Sequence, residues 1–284
     1  MSFIFTICMI VANWYYVPAD SPFVPAEVES IDLNLKDDEL AVTFLPLTNG
    51  EATLIQNGQG EHILVNTGHQ DTEEELKRLL KLYKVSHIST IILTSPEEGY
   101  VGNLNMLAEF YDVKQVITSK SIAEKIETIK TGSNEIQDIG IHLWTQGTKQ
   151  MLVQNLEAEV LYNGASKEEG LDLSFTYKSS RFLILTSMTE ESNRTLLKSD
   201  LSNVNIVKIP HFAMENSINE KLLRHMDPQL AVIFQSKNMA PHQDILKLLQ
   251  DIWLDVHYTK MHGILTIKFT PTNYEIISIS KSEE

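Results

Sequence analysis

The feature that most constrains the fold is an order of elements that recurs in both halves of the chain. Short apolar runs at Leu40 to Leu45, Ala52 to Gln56 and His62 to Asn66 are separated by Asn49-Gly50 and Asn57-Gly58. Asn-Gly pairs favour tight turns between antiparallel strands. The start of the folded region therefore predicts an antiparallel meander of three strands.

The pattern then changes to alternating helix and strand. Thr72 and Glu75 have the spacing of a helix capping box, and the apolar residues after them recur at helical intervals, which predicts a helix from Thr72 to Lys84. A strand at His87 to Leu93, a helix at Asn103 to Tyr111 and a strand at Gln115 to Ile117 are predicted next.

The second half repeats this plan. Three apolar runs again precede an alternation of strand and helix, in which Ser217 and Glu220 form a second predicted capping box, and three strands end the chain. The predicted strands are Leu156 to Leu161, Leu171 to Tyr177, Arg181 to Thr186, Val204 to Ile209, Leu230 to Phe234, Asp255 to Thr259, Gly263 to Phe269 and Tyr274 to Ile279; the predicted helices run through Leu196 and Leu197 and from His242 to Leu249. Two such halves predict two facing sheets covered by helices.

The domain organisation follows from the two ends of this pattern. Residues 1–19 are predicted to be an apolar leader, because Ser2 to Val17 carry no charge and Val17-Pro18-Ala19 places small residues where a signal peptidase reads. An uncleaved membrane anchor, or a buried element of the main domain, remains open as an alternative. Residues 20–39 are predicted to be a linker rich in Pro, Asp and Glu, and residues 40–284 one domain.

The charge balance bears on the class of partner. With 38 acidic against 23 basic side chains, the formal net charge is −15. A field of that sign repels phosphate backbones, so general nucleic-acid binding is disfavoured. Cys8 is the single cysteine, so the chain can form neither an intrachain disulfide nor a cysteine-based zinc site.

Six short phrases occur in the order and on the elements of a known family. They are FLPLTNGEA (Phe44 to Ala52), LVNTG (Leu64 to Gly68), LTSPEEGYVGN (Leu93 to Asn103), ILTSM (Ile184 to Met188), KIPHFAM (Lys208 to Met214) and MAPHQDIL (Met239 to Leu246). They resemble the metallo-β-lactamase-fold superfamily, and most closely the C-terminal hydrolase-like domain of the ComEC competence DNA-uptake proteins. The resemblance covers Ala41 to Ser280 and implies an α/β (α+β) class with a four-layer αββα sandwich.

The same resemblance implies that the metal motif is degenerate. The four ligand positions of the family phrase LTHPHADHIGG are Ser95, Glu97, Gly99 and Tyr100 here. At single positions, Met188 replaces the aspartate that would bridge two metals, Asn66 replaces the aspartate of LIDTG, His211 and His242 are retained, and Phe212 replaces a histidine. Because a catalytic zinc needs about three nitrogen, oxygen or sulfur ligands from the protein, these changes predict the loss of the metal site. Tyr100, Met188 and Phe212 are instead expected to fill the space, unless only its floor is filled and an outer cleft still binds a ligand.

Two functions remain open. The first is a non-catalytic ComEC-like protein without a cofactor, exported or membrane-anchored, that binds an unknown protein or small-molecule ligand. The alternative is a metal-dependent hydrolase resembling a phosphodiesterase or nuclease, in which zinc or manganese is held at a rebuilt site of Glu97, His211 and His242. A cytoplasmic location is the alternative to export.

Overall fold

The elements form in the predicted order. The computed structural model describes residues 29–130, 139–164 and 169–280. In these ranges the strands are β1 Leu40–Phe44, β2 Thr53–Asn57, β3 His62–Val65, β4 Thr90–Ile92, β5 Gln115–Thr118, β6 Gly140–Leu143, β7 Lys149–Val153, β8 Leu156–Asn163, β9 Leu171–Tyr177, β10 Ser180–Ile184, β11 Val204–Lys208, β12 Leu230–Ile233, β13 Asp255–Tyr258, β14 Ile264–Phe269 and β15 Tyr274–Ile279. The α-helices are α1 Glu73–Leu82, α2 Glu98–Val101, α3 Leu104–Phe110, α4 Lys120–Lys130, α5 Glu190–Leu196, α6 Glu220–Met226, α7 Gln243–Asp251 and α8 Thr259–His262.

The strands form two sheets, one from each half of the chain apart from the last two strands. The first sheet has the order β15-β14-β1-β2-β3-β4-β5-β6, and the second has the order β13-β12-β11-β10-β9-β8-β7. In each sheet an antiparallel region joins a parallel region, at β3–β4 and at β10–β11. Parallel strands need crossover connections, and the helices between β3 and β5 and between β10 and β13 supply them.

The two sheets pack face to face through aromatic side chains. Phe182 of β10 stacks on Phe175 of β9 with ring centroids 4.8 Å apart, and on Phe269 of β14 in the other sheet at 5.8 Å. β1, β2 and β3 are buried at every residue, which indicates that both faces of the first sheet are covered there. A second apolar cluster, which includes Leu196 of α5, Leu222 of α6 and Leu249 of α7, packs those helices on the second sheet. The prediction of a four-layer α/β sandwich is thus confirmed.

Both predicted capping boxes are wrong. Thr72 occupies the N-cap position of α1 but makes no capping hydrogen bond through its side chain. Its hydroxyl donates to the carbonyl of His69, and Glu75 accepts instead from the backbone N–H and hydroxyl of Thr48. Asn219, not Ser217, caps α6, because its Oδ1 accepts from the N–H of Leu222 at 2.8 Å. In each case the hydrogen bond is made with a nearby group outside the expected pair.

Other differences concern element length and weak strands. The strand predicted at His87 to Leu93 is shorter, since β4 comprises Thr90–Ile92 alone. The edge strands β6 and β7 and helix α4 were not predicted. β6 and β7 are largely exposed, so their sequences lack the apolar alternation that identifies a half-buried strand.

The N-terminal predictions fall largely outside the described residues, since residues 1–19 and most of the linker precede residue 29. The described end of the linker contacts the domain: the N–H of Ile31 donates to the carbonyl of Leu82 at 2.7 Å, and Ile31 and Leu33 pack against the main core. The boundary at residue 40 stays a prediction. None of the described helices has the length and apolar character that a bilayer crossing requires.

Candidate functional site

The loops that carry the six phrases meet at one end of the sandwich. They follow the carboxyl ends of β1, β3, β4, β10, β11 and β12, and the carboxyl ends of parallel strands are where open α/β sheets place their ligand sites. Backbone hydrogen bonds join the loops directly: Glu51 N–H donates to the carbonyl of Gly99 at 2.9 Å, and Thr67 N–H donates to the carbonyl of Tyr100 at 2.7 Å. The loops that contain Gly50 and Gly99 approach each other closely, and only glycine fits at position 50. Its φ is +90°, and a Cβ there would lie 2.4 Å from the Gly99 carbonyl oxygen.

A buried ion pair occupies the centre of this end. Lys208 Nζ, at the last position of β11, lies 2.6 Å from Glu51 Oε2, and the two side chains are 0% and 1% exposed. The hydroxyl of Tyr100 donates to Glu51 Oε1 at 3.3 Å, and Lys208 Nζ lies 5.8 Å from the centroid of the Tyr100 ring. Lys208, Glu51 and Tyr100 are called the buried triad below.

Burial sets the electrostatics of the buried triad. Desolvation raises the pKa of Glu51, and the charge of Lys208 and the hydrogen bond from Tyr100 act against that rise. Desolvation also raises the pKa of Tyr100 well above its usual value, with Glu51 adding to the effect, so the phenol stays protonated and acts as a donor. Lys208 Nζ, 2.6 Å from Glu51 Oε2, is therefore the group that most strongly opposes the effect of desolvation on the pKa of the Glu51 carboxyl.

Phe212 packs against Tyr100 of the buried triad from a strained turn. Its ring lies 6.2 Å from that of Tyr100, and it is 2% exposed. His211, Phe212 and Ala213 have φ values of 44°, 55° and 59°, so three consecutive non-glycine residues adopt the left-handed conformation. Each such residue costs about 1–2 kcal/mol, so the surrounding structure must hold this turn in place.

A chain of hydrogen bonds links the two sheets beside the buried triad. Asn66 Oδ1 accepts from the N–H of Thr94 at 2.9 Å and from its hydroxyl at 3.0 Å, and the hydroxyl of Thr186 donates to Thr94 Oγ1 at 2.9 Å. Asn66 itself has a φ of 61°, which asparagine tolerates better than most residues. A neutral amide oxygen thus makes these contacts at the position where the resemblance implied an aspartate.

Asp172 holds the loop that follows β10. Its Oδ1 accepts from the N–H of Thr186 at 2.6 Å and from that of Ser187 at 2.9 Å. The side chain is fully buried, and desolvation raises its pKa to about 6, although these hydrogen bonds and the charge of Lys208 lower it. The loop with Met188 is therefore fixed by a carboxylate one strand away.

The structure brings some of the sequence-predicted site residues together and keeps others apart. Tyr100 and Gly99 belong to the central group, whereas Ser95 is buried in the loop before α2, where its hydroxyl accepts from the N–H of Glu97 at 3.2 Å. Met188 is half-buried, in contrast to the fully buried Tyr100. His242 caps α7 by accepting from the N–H of Asp244 at 3.3 Å, and its imidazole is 40% exposed.

The residues at this position do not fit a zinc or manganese ion. Glu97, His211 and His242 form no joint site: within the described ranges there is no group of three or more His, Cys, Asp or Glu side chains that could hold a metal. The Glu51 carboxylate is paired with the Lys208 ammonium group, whose charge repels a cation. The donor set is therefore that of a buried salt bridge, not that of a metal centre.

Sequence reasoning missed Glu51, Lys208 and Asp172 as central residues. The signal was present, because Lys208 lies between the apolar residues Ile206-Val207 and Ile209 of a predicted strand, and Asp172 interrupts the run LDLSF. Charged residues are almost never fully buried unless they are paired. A lysine and an acid inside predicted buried strands therefore indicate a buried charge network.

Comparisons with known proteins agree with this architecture. The chain is 22% identical over 260 residues to ComE operon protein 3 of Bacillus subtilis (strain 168), which covers 78% of this chain and 33% of that protein. The chain thus spans about a third of the length of this curated relative. No family model matches the chain.

Solved structures are similar in fold at low identity. The metallo-β-lactamase-fold protein YhfI from Bacillus subtilis matches with a TM-score of 0.57 and 10% identity, over 77% of this chain and 96% of that one. A diphosphatase from the PhnP family matches with a TM-score of 0.56 and 13% identity, over 81% of this chain and 97% of that one.

The cofactor prediction must be corrected. It gave no cofactor first and zinc or manganese as the alternative. The fold shared with YhfI is named after metal-dependent enzymes, so the comparison does not favour the prediction of no cofactor. The described residues hold no metal-binding group that would support the alternative of zinc or manganese. Together these comparisons show that this chain has the metallo-β-lactamase fold, and that it has a weak sequence similarity to ComE operon protein 3.

Proposed function

We propose that this chain is a non-catalytic ComEC-like protein that acts by binding a protein or small-molecule ligand. The observation that carries the proposal is the buried triad: Lys208 and Glu51 lie 2.6 Å apart and are at most 1% exposed, and the ring of Tyr100 packs against that of Phe212. Hydrolysis needs an activated water next to the substrate, and side chains buried to this degree leave neither room nor access.

The loops around the closed centre support a binding role. Asp71 Oδ1 lies 2.8 Å from His69 Nδ1, and Asp71 Oδ2 lies 3.0 Å from Lys237 Nζ, with about a third of each side chain exposed. Asn49 donates to Asp71 and accepts from the hydroxyl of Ser236 at 3.2 Å, so the loops after β1, β3 and β12 are tied together. This polar rim is partly exposed and is held by contacts between several elements, which favours the recognition of a partner.

The experiment is a hydrolysis assay on the full chain. We expect no turnover of bis(p-nitrophenyl) phosphate above the buffer rate, with or without added zinc or manganese. The variant Tyr100→His and the triple variant Gly99→Asp, Tyr100→His, Met188→Asp, which restore family residues, should also remain inactive, because the Lys208 charge is still in place.

The hydrolase alternative makes the opposite prediction. Metal-dependent turnover by the wild-type chain that is lost in Glu97→Gln would mean that a rebuilt site operates and that the binding proposal is wrong. Asp244→Asn, which removes an exposed carboxylate beside His242, is the matched control and should have no effect in either case.

The location proposed for this protein is outside the cytoplasm or at the membrane. Support comes from the apolar, uncharged sequence Ser2 to Val17, which lies outside the described residues, and from the similarity to a competence-operon protein. Fractionation of the full chain and of a variant lacking residues 1–19 tests this. Recovery of the full chain in the cytosolic fraction, together with the truncated variant, would contradict it.

A further inference from the structure

We infer that a cleft at the opposite end of the sandwich binds a neutral saccharide. The cleft is lined by Ser179, Ser180, Asn205, Gln229, Thr272, Asn273, Tyr274 and Ile276, and its volume is about 560 Å³. That volume lies within the range of ligand-binding pockets, roughly 300–1,000 Å³.

The position of the cleft separates it from the buried triad. Ser180 begins β10, Asn205 is the second residue of β11, and Gln229 immediately precedes β12. These are the amino ends of three neighbouring strands, whereas the buried triad lies at the carboxyl ends. The turn between β14 and β15 supplies Thr272 and Asn273, so both sheets contribute to the cleft.

Three amide side chains in this cleft each accept a hydrogen bond through the carbonyl oxygen. Asn205 Oδ1 accepts from the N–H of Arg181 at 3.0 Å, and Asn273 Oδ1 accepts from the N–H of Tyr274 at 2.9 Å. Gln229 Oε1 accepts from the hydroxyl of Tyr274. In the described part of the chain no acceptor engages the three NH₂ groups, so each carbonyl is anchored by the protein and each NH₂ remains available as a donor.

The charge of the lining excludes most other ligands. None of the eight lining residues is charged, although 21% of the chain is Asp, Glu, Lys or Arg. An anion would find no cation in the cleft and would meet a protein of net charge −15. A metal cation would need the amide oxygens that are already occupied. A neutral ligand with many hydroxyl groups fits both the free amide donors and the hydroxyls of Ser179 and Thr272.

The apolar part of the lining fits a sugar ring. Tyr274 packs on Phe269 with ring centroids 6.0 Å apart, which fixes the aromatic ring at the edge of the core. Ile276, two residues further along β15, is 54% exposed. An aromatic ring with a polar tip beside an exposed aliphatic side chain gives the C–H face of a saccharide a surface to pack on.

The test is a binding titration of the full chain with glucose, N-acetylglucosamine, maltose and cellobiose. Binding is measured by ligand-observed NMR and by calorimetry. We expect saturable binding of at least one of them below about 10 mM, the weak-affinity range for a single small site. Gln229→Ala should weaken that binding by about tenfold, because one hydrogen bond to an anchored donor is lost. Tyr274→Ala should weaken it at least as much.

The control variant is Gln250→Ala, an exposed glutamine on α7, which should bind as wild type does. Because Gln229 is exposed, its truncation leaves the core intact, and an unchanged thermal melt verifies this. Glucose 6-phosphate is the charged counterpart of glucose and should bind more weakly. The inference is overturned if none of the four neutral sugars binds, if Gln229→Ala and Gln250→Ala behave alike, or if glucose 6-phosphate binds more tightly than glucose.

Discussion

Removing the amine of the buried triad should be among the most damaging single changes in this chain. Lys208→Met keeps most of the side-chain volume but leaves the Glu51 carboxylate without its counter-charge. Glu51 is 1% exposed and retains the Tyr100 hydroxyl at 3.3 Å as a donor. Breaking a fully buried pair in this way costs about 3–5 kcal/mol of unfolding free energy, because the remaining charge is uncompensated.

The double variant separates the loss of attraction from the loss of packing. In Lys208→Met with Glu51→Gln, no charge is left, and the Gln carbonyl can still accept from Tyr100. Since replacing both members of a buried pair is often nearly neutral, the double variant should recover at least about 2 kcal/mol relative to the sum of the two single changes.

An exposed ion pair with a similar N–O distance provides the matched control. Lys247 Nζ lies 2.7 Å from Asp251 Oδ2, and the two side chains are 72% and 58% exposed. Lys247→Met should change the unfolding free energy by less than about 1 kcal/mol. Urea unfolding followed by circular dichroism measures all four variants. The reasoning is refuted if Lys208→Met is no more destabilising than Lys247→Met.

Three further predictions follow from single contacts. Asp172 has a pKa of about 6 when folded and a usual value of 3.8, so its contribution to stability is present at acidic pH and is lost as the pH rises from about 4 to 6. The free energy of unfolding of wild type relative to Asp172→Asn should therefore fall by up to about 3 kcal/mol between pH 4 and 7, and a constant difference in urea melts would contradict this. Ala213→Gly should stabilise the chain by up to about 1 kcal/mol, because Ala213 has a φ of 59°; a lower melting temperature would show that the turn is unstrained. Gly50→Ala should destabilise by more than about 1 kcal/mol, since its Cβ would lie 2.4 Å from the Gly99 carbonyl oxygen, and a wild-type melt would show that the loops can separate.

Sequence patterns predicted the fold because the apolar periodicity is strong where strands are buried. β1, β2 and β3 are buried at every residue and were all predicted within two residues of their observed ends. The edge strands β6 and β7 were missed because their side chains are mostly exposed and show no alternation. The helices predicted to begin at Thr72, Asn103 and His242 begin one residue later, but the capping partners were wrong, because the partner of a polar side chain depends on loops brought close by folding, as with Glu75 and Thr48.

The centre of the candidate site was predicted only in part. The phrases identified Tyr100 and Phe212 as residues that replace ligands, and the structure places their rings 6.2 Å apart. The pairing of Lys208 with Glu51 was not predicted, since the two residues are 157 positions apart, with Lys208 at the end of β11 in the second sheet and Glu51 in the loop between β1 and β2 of the first. His211 and His242 suggested a common site, but the imidazole of His242 serves as a helix cap.

The most direct test of the closed centre is the chemical reactivity of the Lys208 amine in the folded protein. The native chain is treated with an acetylating reagent, and the modified lysines are quantified by mass spectrometry, with exposed Lys247 as the internal reference. The account predicts that Lys247 is fully acetylated while Lys208, which is 0% exposed and paired with Glu51, remains unmodified until the chain is unfolded. Acetylation of Lys208 at a rate close to that of Lys247 would show that the centre is open to solvent and would contradict the account.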